Sequence, residues 1–200
     1  MANEDLTLYQ RIRNDIINGN LLQNEKITES KLAQKYNVSR TPIREAIKQL
    51  ELEYFIKDSY VYVPTVEEYR NIFEMRILIE THAIQKACIV FTQEDIDELR
   101  SYTHVEEKQT DEEIIQINDQ FHQKIMSATK NSFIIDTYSK LKSHIYLFSK
   151  TVINKKRPGL IEEHQVIVDM LEKRDADQAI QLMKDHLLKD LEFSLYYLKS

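Results

Sequence analysis

Residues 30–52, which read SKLAQKYNVSRTPIREAIKQLEL, decide the fold of the first part of the chain. Their apolar spacing predicts two short helices that meet at a tight corner. Asn37 suits this corner because its short polar side chain tolerates a left-handed backbone, and Val38 follows to fill the joint. Ser39 or Thr41 is expected to cap the second helix, which gives the pair the spacing of a helix-turn-helix.

The second helix of this pair is amphipathic. Its apolar residues recur at i, i+3, i+4 and i+7 and should form one buried stripe, namely Ile43, Ala46, Ile47 and Leu50. Residues at its N-terminal end and on its solvent-exposed face are candidates for DNA contact, namely Ser39, Arg40, Thr41, Arg44 and Lys48. A surface helix with ordinary arginine and lysine residues remains the alternative.

The net charge of −6 is unusual for a DNA-binding protein until it is divided along the chain. Residues 1–66 carry nine basic and nine acidic side chains, so the acidic excess lies in residues 67–200. Within residues 31–48 there are five basic side chains and one acidic one. The local charge of this stretch therefore suits a phosphate backbone.

Residues 54–64 (YFIKDSYVYVP) predict a small β-hairpin with its turn at Asp58-Ser59. A hairpin directly after a DNA-reading helix is the wing of a winged helix, and Lys57 is its only basic residue. The rest of the chain is predicted to be helical, in six segments: 67–90, 92–108, 111–129, 132–154, 160–173 and 175–198. With two Gly and three Pro in 200 residues, the expected class is mostly α.

The expected organisation is a winged helix-turn-helix DNA-binding domain at residues 1–66 and an antiparallel all-α bundle at residues 67–200. No stretch resembles a secretion signal or approaches the roughly 18 apolar residues of a membrane span, so a cytoplasmic location is expected. Cys88 is the single cysteine, and its apolar neighbours predict a small buried side chain.

Four polar side chains of the helical part are candidates for one metal site. Asn118 and His122 are four residues apart and share a helix face, while His164 and His186 lie on two later helices. Imidazole nitrogens with an amide oxygen suit Zn, Ni, Mn or Fe. Asp119 points about 100° away from Asn118 and is a second-choice ligand. The remaining histidines are expected to be ordinary polar or partly buried positions: His82, His104 and His144.

Arg76 and Glu80 are also four residues apart on one predicted helix, and two interpretations stay open. In the first, they form a surface ion pair worth a few tenths of a kcal/mol. In the second, Arg76 points inward and binds a carboxylate with two hydrogen bonds.

Together these residues carry a resemblance to the GntR family of transcriptional regulators. The N-terminal motif is VSRTPIREA at residues 38–46, and the helical motifs EMRILIE, NDQFH, EEHQVIVDMLEKRDADQAI and MKDH follow in the family's order. The chain is similar to the FadR subfamily, with an FCD-type, VanR-like effector domain of six helices.

This resemblance implies a divalent metal (Zn, Ni or Mn) held by Asn118, His122, His164 and His186. It implies Arg76 as the residue for an effector carboxylate. It further implies a homodimer that binds double-stranded operator DNA, with Arg40 and Arg44 among the contacts, under the control of a small metabolite such as an organic acid.

Three positions depart from the family pattern. Asn118 replaces a common Asp, so metal affinity should be lower, and Ser30 replaces a DNA-contacting Arg. Tyr54 stands where a Gly usually follows the recognition helix, and the wing tip lacks Gly.

Two alternatives remain open. In the first, the chain is a metal-dependent helical enzyme, which needs a base near the metal; no carboxylate pair is expected beside the three histidines. In the second, a regulator works without metal and its histidines bind the effector directly.

Overall fold

The computed structural model describes residues 6–104, 108–148 and 157–198. The Cα positions group the described residues into two compact units: residues 6–65 with 142–148, and residues 66–104, 108–141 and 157–198. We call them the N-terminal unit and the helical unit. Among the described residues, none of the helices is both long and apolar enough to cross a membrane.

Three helices build the N-terminal unit: α1 (Leu8–Ile17), α2 (Glu29–Tyr36) and α3 (Arg40–Leu52). Thr28 caps α2 by accepting a hydrogen bond from the Lys31 amide. Asn37 ends α2 in the left-handed region with φ of 53°, which confirms the predicted corner. Ser39 occupies the N-cap position of α3, but its side chain makes no capping hydrogen bond.

The predicted apolar stripe of α3 faces the core of the N-terminal unit. Ile43, Ala46 and Leu50 are buried, whereas Ile47 is only partly buried. They pack with buried residues of α1, α2 and the hairpin, including Ile12, Leu32, Phe55 and Val61. This packing fixes which side of α3 stays exposed.

The predicted hairpin is present, as strands β1 (Ile56–Lys57) and β2 (Tyr60–Val61). Asp58 and Ser59 form its turn, with positive φ of 52° and 66° at the two positions. Such a turn matches the right-handed twist of paired strands. Tyr54 also has a positive φ, 58°, at the position where the family uses Gly.

The end of α7 (Ser132–Phe148), a helix that the sequence predicted, belongs to the N-terminal unit, which the sequence did not indicate. Ser143 accepts a hydrogen bond from the Arg13 guanidinium. The His144 ring lies 5.6 Å from the ring of Phe55, centroid to centroid. His144, predicted to be an ordinary polar or partly buried position, is partly buried, and burial lowers the pKa of its imidazole.

In the helical unit α4 (Val66–Val90) is the central helix. It packs against α6 (Asp111–Ser127), α8 (Leu160–Glu172) and α9 (Ala176–Leu198). Their shared core consists of buried apolar side chains, among them Ala83, Ile84, Cys88, Phe121, Ile125, Ile167, Leu171, Met183 and Leu187. Cys88 is buried, as predicted.

The helix predicted at residues 92–108 is shorter in the structure, where α5 spans Gln93–Ser101. Its end is set by polar side chains: the Thr103 hydroxyl donates to the Arg100 carbonyl, and Nδ1 of His104 lies 2.8 Å from the same oxygen. Side chains that bind terminal carbonyls end a helix without a Gly or Pro signal. Residues 105–107 and 149–154 of the predicted helices lie outside the described residues.

Candidate functional site

Three helices bring three histidines together in the interior of the helical unit. His122 comes from α6, His164 from α8 and His186 from α9, and all three are buried. Nε2 of His186 lies 3.2 Å from Nε2 of His122 and 3.3 Å from Nε2 of His164. The Phe121 ring stacks on His164, with centroids 3.7 Å apart, and holds that imidazole in place.

Two carboxylates orient the rings of this cluster from behind. Nδ1 of His122 lies 2.5 Å from Oε2 of Glu80, and Nδ1 of His186 lies 2.9 Å from Oε2 of Glu163. An ionised carboxylate only accepts, so Glu80 favours the tautomer of His122 with the hydrogen on Nδ1 and a lone pair on Nε2, which is the form that a metal-binding histidine needs. Nδ1 of His186 lies between an acceptor and a donor, because Nη2 of Arg157 is 3.1 Å from it.

Nε2 of His122 and Nε2 of His186 face each other across 3.2 Å, so the three ring nitrogens lie close enough together to bind one shared cation. Burial lowers the pKa of His122 and takes that of His164 well below its usual value, which favours the neutral imidazole that can ligate a metal. The donor set therefore fits a divalent metal ion.

Asn118 lies one helical turn before His122 on α6, and its Oδ1 is buried without a hydrogen-bond partner among the described residues. An unpaired buried amide oxygen one helical turn from a histidine of the cluster is what a fourth ligand would leave. Among the described residues, the side chains close enough together to hold a metal ion are those of the three histidines. Asp119, the second-choice ligand, is not one of them. His82 and His104 are exposed, as predicted.

The structure places the Arg76–Glu80 pair in the interior of the helical unit. Both side chains are buried, and Nε of Arg76 donates to Oε1 of Glu80 at 2.5 Å. Burial alone would raise the pKa of Glu80, but the charges of Arg76 and His122 outweigh it and hold the pKa below its usual range. The predicted ion pair is therefore present, but it is buried and not on the surface, and Glu80 connects Arg76 to His122 of the histidine cluster.

The sequence shows no carboxylate pair at metal-ligand spacing beside the three histidines, but the fold brings carboxylates against two of the rings. Glu80 and Glu163 bond two of the rings, and Oδ2 of Asp190 lies 3.5 Å from Nε2 of His186. The sequence carried a signal for two of them, since Glu163 precedes His164 and Asp190 follows His186 by four residues.

Arg157 is a site residue that the sequence reasoning missed. Its Nε donates to Oδ1 of Asp190 at 2.7 Å, and its two amino groups donate to Glu163 at 3.0 and 2.5 Å. Arg157 is buried, so this ion-pair network neutralises both carboxylates behind His186. Each nitrogen of the Arg157 guanidinium therefore donates a hydrogen bond to a carboxylate of the protein.

The predicted DNA contacts all lie on the exposed side of the N-terminal unit, namely Ser39, Arg40, Thr41, Arg44 and Lys48. Arg44 is not free there. Its Nε and Nη2 donate to the two carboxylate oxygens of Glu29 at 2.7 and 2.9 Å. Glu29, at the start of α2, was not singled out from the sequence.

A winged helix-turn-helix and an all-helical unit with a buried histidine cluster define a DNA-binding transcriptional regulator. Residues 5–57 match the bacterial regulatory proteins of the gntR family, and residues 71–189 match the FCD domain. The FCD match alone spans more than half of the chain. The protein belongs to the GntR family and carries an FCD domain.

Relatives and a solved structure agree with this assignment. The Nta operon transcriptional regulator of Aminobacter aminovorans is 26% identical over 177 residues, covering 84% of this chain and 83% of that protein. The transcriptional repressor RspR of Escherichia coli is 27% identical over 192 residues, covering 90% and 84%.

A crystal structure of a GntR regulator from Rhodococcus sp. RHA1 shares the fold, with a TM-score of 0.74 at 18% identity over 94% of this chain and 95% of that one. Because the family and these relatives are transcriptional regulators, the protein is not an enzyme.

Proposed function

We propose that the protein binds operator DNA through α3 and that a small carboxylate bound beside the histidine cluster controls this binding. The observation that carries the proposal is the state of Arg76. Within the described chain, the only hydrogen bond of its guanidinium runs from Nε to Glu80. Among the described residues its two amino groups donate to no partner, and such a pair of donors on a buried arginine suits a carboxylate in bidentate geometry. Arg157, by contrast, has no open donor edge.

The metal part of the proposal rests on the donor set. His122, His164 and His186 would hold a divalent ion through ring nitrogens, with Asn118 adding its unpaired amide oxygen. All four ligands are neutral, so a bound ion would keep its full charge and attract an anionic effector directly. The metal would supply this electrostatic attraction. Zn, Ni and Mn are all compatible with such ligands.

Control of DNA binding requires that the effector favours one arrangement of the protein over another. Typical coupling free energies are about 1 to 3 kcal/mol, or roughly 5- to 150-fold in affinity. We infer a homodimer on a two-fold symmetric operator, because two helix-turn-helix heads bind half-sites one DNA turn apart. Its target DNA implies a cytoplasmic location.

The test is a calorimetric titration of the untagged full chain with citrate, malate, lactate and gluconate, after its metal content has been measured. An acid that binds should raise the melting temperature and change the affinity for DNA selected by the protein. Arg76→Gln should weaken that binding by at least about tenfold, as the loss of a charged hydrogen-bonding partner does. Arg70→Gln, on the exposed face of α4, is the matched control.

The outcomes separate the parts of the proposal. Acid binding that persists after the metal is removed supports the metal-free regulator. Equal binding to wild type and Arg76→Gln overturns the role of Arg76. If no acid binds and DNA affinity never changes, the effector-controlled function fails while the DNA-binding class stands.

A further inference from the structure

Glu29 and Arg44 form an ion pair between the first turn of α2 and the exposed side of α3. Both carboxylate oxygens are used, with distances of 2.7 Å to Nε and 2.9 Å to Nη2. The Arg44 side chain is 60% exposed, so the pair adds little to the stability of the fold. The main effect of the pair is therefore on which donor groups of Arg44 remain open.

An arginine presents two donor edges. The side edge consists of Nε–H and one Nη2–H, and the end edge consists of the outer hydrogens of Nη1 and Nη2. Glu29 occupies the side edge of Arg44, so the end edge stays open among the described residues. Guanine is read in the major groove by two parallel donors to its O6 and N7, and the end edge provides them.

Glu29 is also well placed to hold its position. It is the first residue of α2, next to the capping Thr28, where a negative side chain is favoured by the helix dipole. The hydrogen bond from Arg44 is the largest cause that lowers the pKa of Glu29, and the charges of Arg44 and Arg40 lower it further. A carboxylate at this point therefore stays ionised between two candidate DNA-contacting arginines.

We propose that Glu29 is a specificity-determining residue, which holds Arg44 in the orientation that reads a guanine and withholds it from the phosphate backbone. An unpaired Arg44 would contact any phosphate within its reach, a contact that carries no sequence information. The paired arginine has lost most of its attraction to phosphate but keeps a pre-oriented fork for one base. This inference rests on the proposed role of Arg44 in DNA binding.

The experiment uses the full chain and a DNA duplex that the wild-type protein selects from a random library. Each guanine of that duplex is replaced in turn by 7-deazaguanine, which lacks the N7 acceptor, and affinities are measured by fluorescence anisotropy. One position should weaken wild-type binding by at least about fivefold, the low end for a bidentate arginine–guanine contact. Glu29→Gln should lose about half or more of that sensitivity.

Binding to non-selected DNA gives the second readout. Glu29→Gln should bind it more tightly than wild type, with a salt dependence steeper by up to about one phosphate contact. Glu25→Gln is the matched control, because it removes the same charge from the N-terminal unit and releases Lys31 instead of Arg44. It should keep the full sensitivity to 7-deazaguanine, whatever it does to non-specific binding.

Equal 7-deazaguanine sensitivity in wild type and Glu29→Gln, with Arg44→Ala insensitive, would overturn the role of Glu29 alone. Selection of a duplex in which no guanine matters would overturn it too. Undiminished affinity of Arg44→Ala for the selected duplex would remove Arg44 from the DNA interface, and the inference with it. Circular dichroism of each variant checks that the fold is intact.

Discussion

Oε2 of Glu80 accepts a hydrogen bond from Nδ1 of His122 at 2.5 Å, so an acidic side chain of α4 fixes the ring of a histidine on α6. The same carboxylate binds Arg76 through its other oxygen. Glu80 thus joins the candidate metal ligands to the candidate effector-binding arginine, and its replacement should disturb both.

We expect Glu80→Gln to lower the affinity for divalent metal by roughly 10- to 100-fold, the range seen when a partner behind a ligating histidine is removed. The amide can donate as well as accept, so it no longer fixes the hydrogen on Nδ1. The measurement is a competition with a chromogenic chelator for Zn, Ni and Mn separately. Glu74→Gln, exposed on the same helix, should bind like wild type, and an unchanged affinity of Glu80→Gln would contradict the arrangement.

Asn118→Asp should raise the affinity for divalent metal by about one order of magnitude, because a charged oxygen replaces a neutral one in the ligand set. The reason lies in Oδ1 of Asn118, which is buried one helical turn before His122 on α6 and has no hydrogen-bond partner among the described residues. Calorimetric titration with each ion gives the comparison. Asp119→Asn should leave affinity unchanged; a loss there would show that the neighbouring residue is the ligand.

Ser59→Gly should stabilise the hairpin by about 0.5 kcal/mol. Ser59 has φ of 66°, a region that costs a residue with a Cβ about 1 to 2 kcal/mol, while glycine gives back about 0.5 to 1 kcal/mol through its freer unfolded chain. Amide hydrogen exchange can detect the effect at Ile27, whose N–H donates to the Ser59 carbonyl at 2.8 Å.

The control for this substitution is Ser30→Gly, in the exposed first turn of α2, where glycine has no such advantage. It should lower protection in α2, because glycine is a poor helix former. Faster exchange at Ile27 in Ser59→Gly would show that the turn tolerates serine without cost.

The sequence predicted the elements of this protein better than their partners. Asn37 and the Asp58-Ser59 turn act through local backbone preferences, which a sequence displays directly, and both were correct. Four-residue spacing likewise placed Asn118 beside His122. Arg157 could not be assigned, because its partners lie 6 and 33 residues away and only tertiary packing brings them together.

The end of α7 shows the same limit. Ser143 lies in the N-terminal unit and bonds Arg13, which is 130 residues earlier in the chain. Neither residue carries a sequence pattern that differs from an exposed polar position. Periodicity identifies a helix and its buried face, but it does not say which part of the protein that face meets.

Asp95→Asn should destabilise the helical unit at pH 7 by about 1 kcal/mol, the usual loss for a helix cap. Asp95 accepts from the Lys124 ammonium at 2.7 Å and from the Thr92 amide at 2.8 Å. These bonds lower the pKa of Asp95 to about 2, with Lys124 the larger cause.

The pH dependence of this loss follows from the direction of the shift. An aspartate with a depressed pKa stabilises the fold above its unfolded pKa of about 3.9, and the contribution disappears as pH falls through the folded value. The difference between wild type and Asp95→Asn should therefore be full at pH 7 and shrink from about pH 4 downward. Urea denaturation at pH 7, 4 and 2.5 measures it. The control is Asp97→Asn, on the same helix, where the partner Gln93 is neutral; it should lower the free energy of unfolding less at pH 7. If the difference between wild type and Asp95→Asn stays constant as pH falls, the ion pair with Lys124 is not its cause.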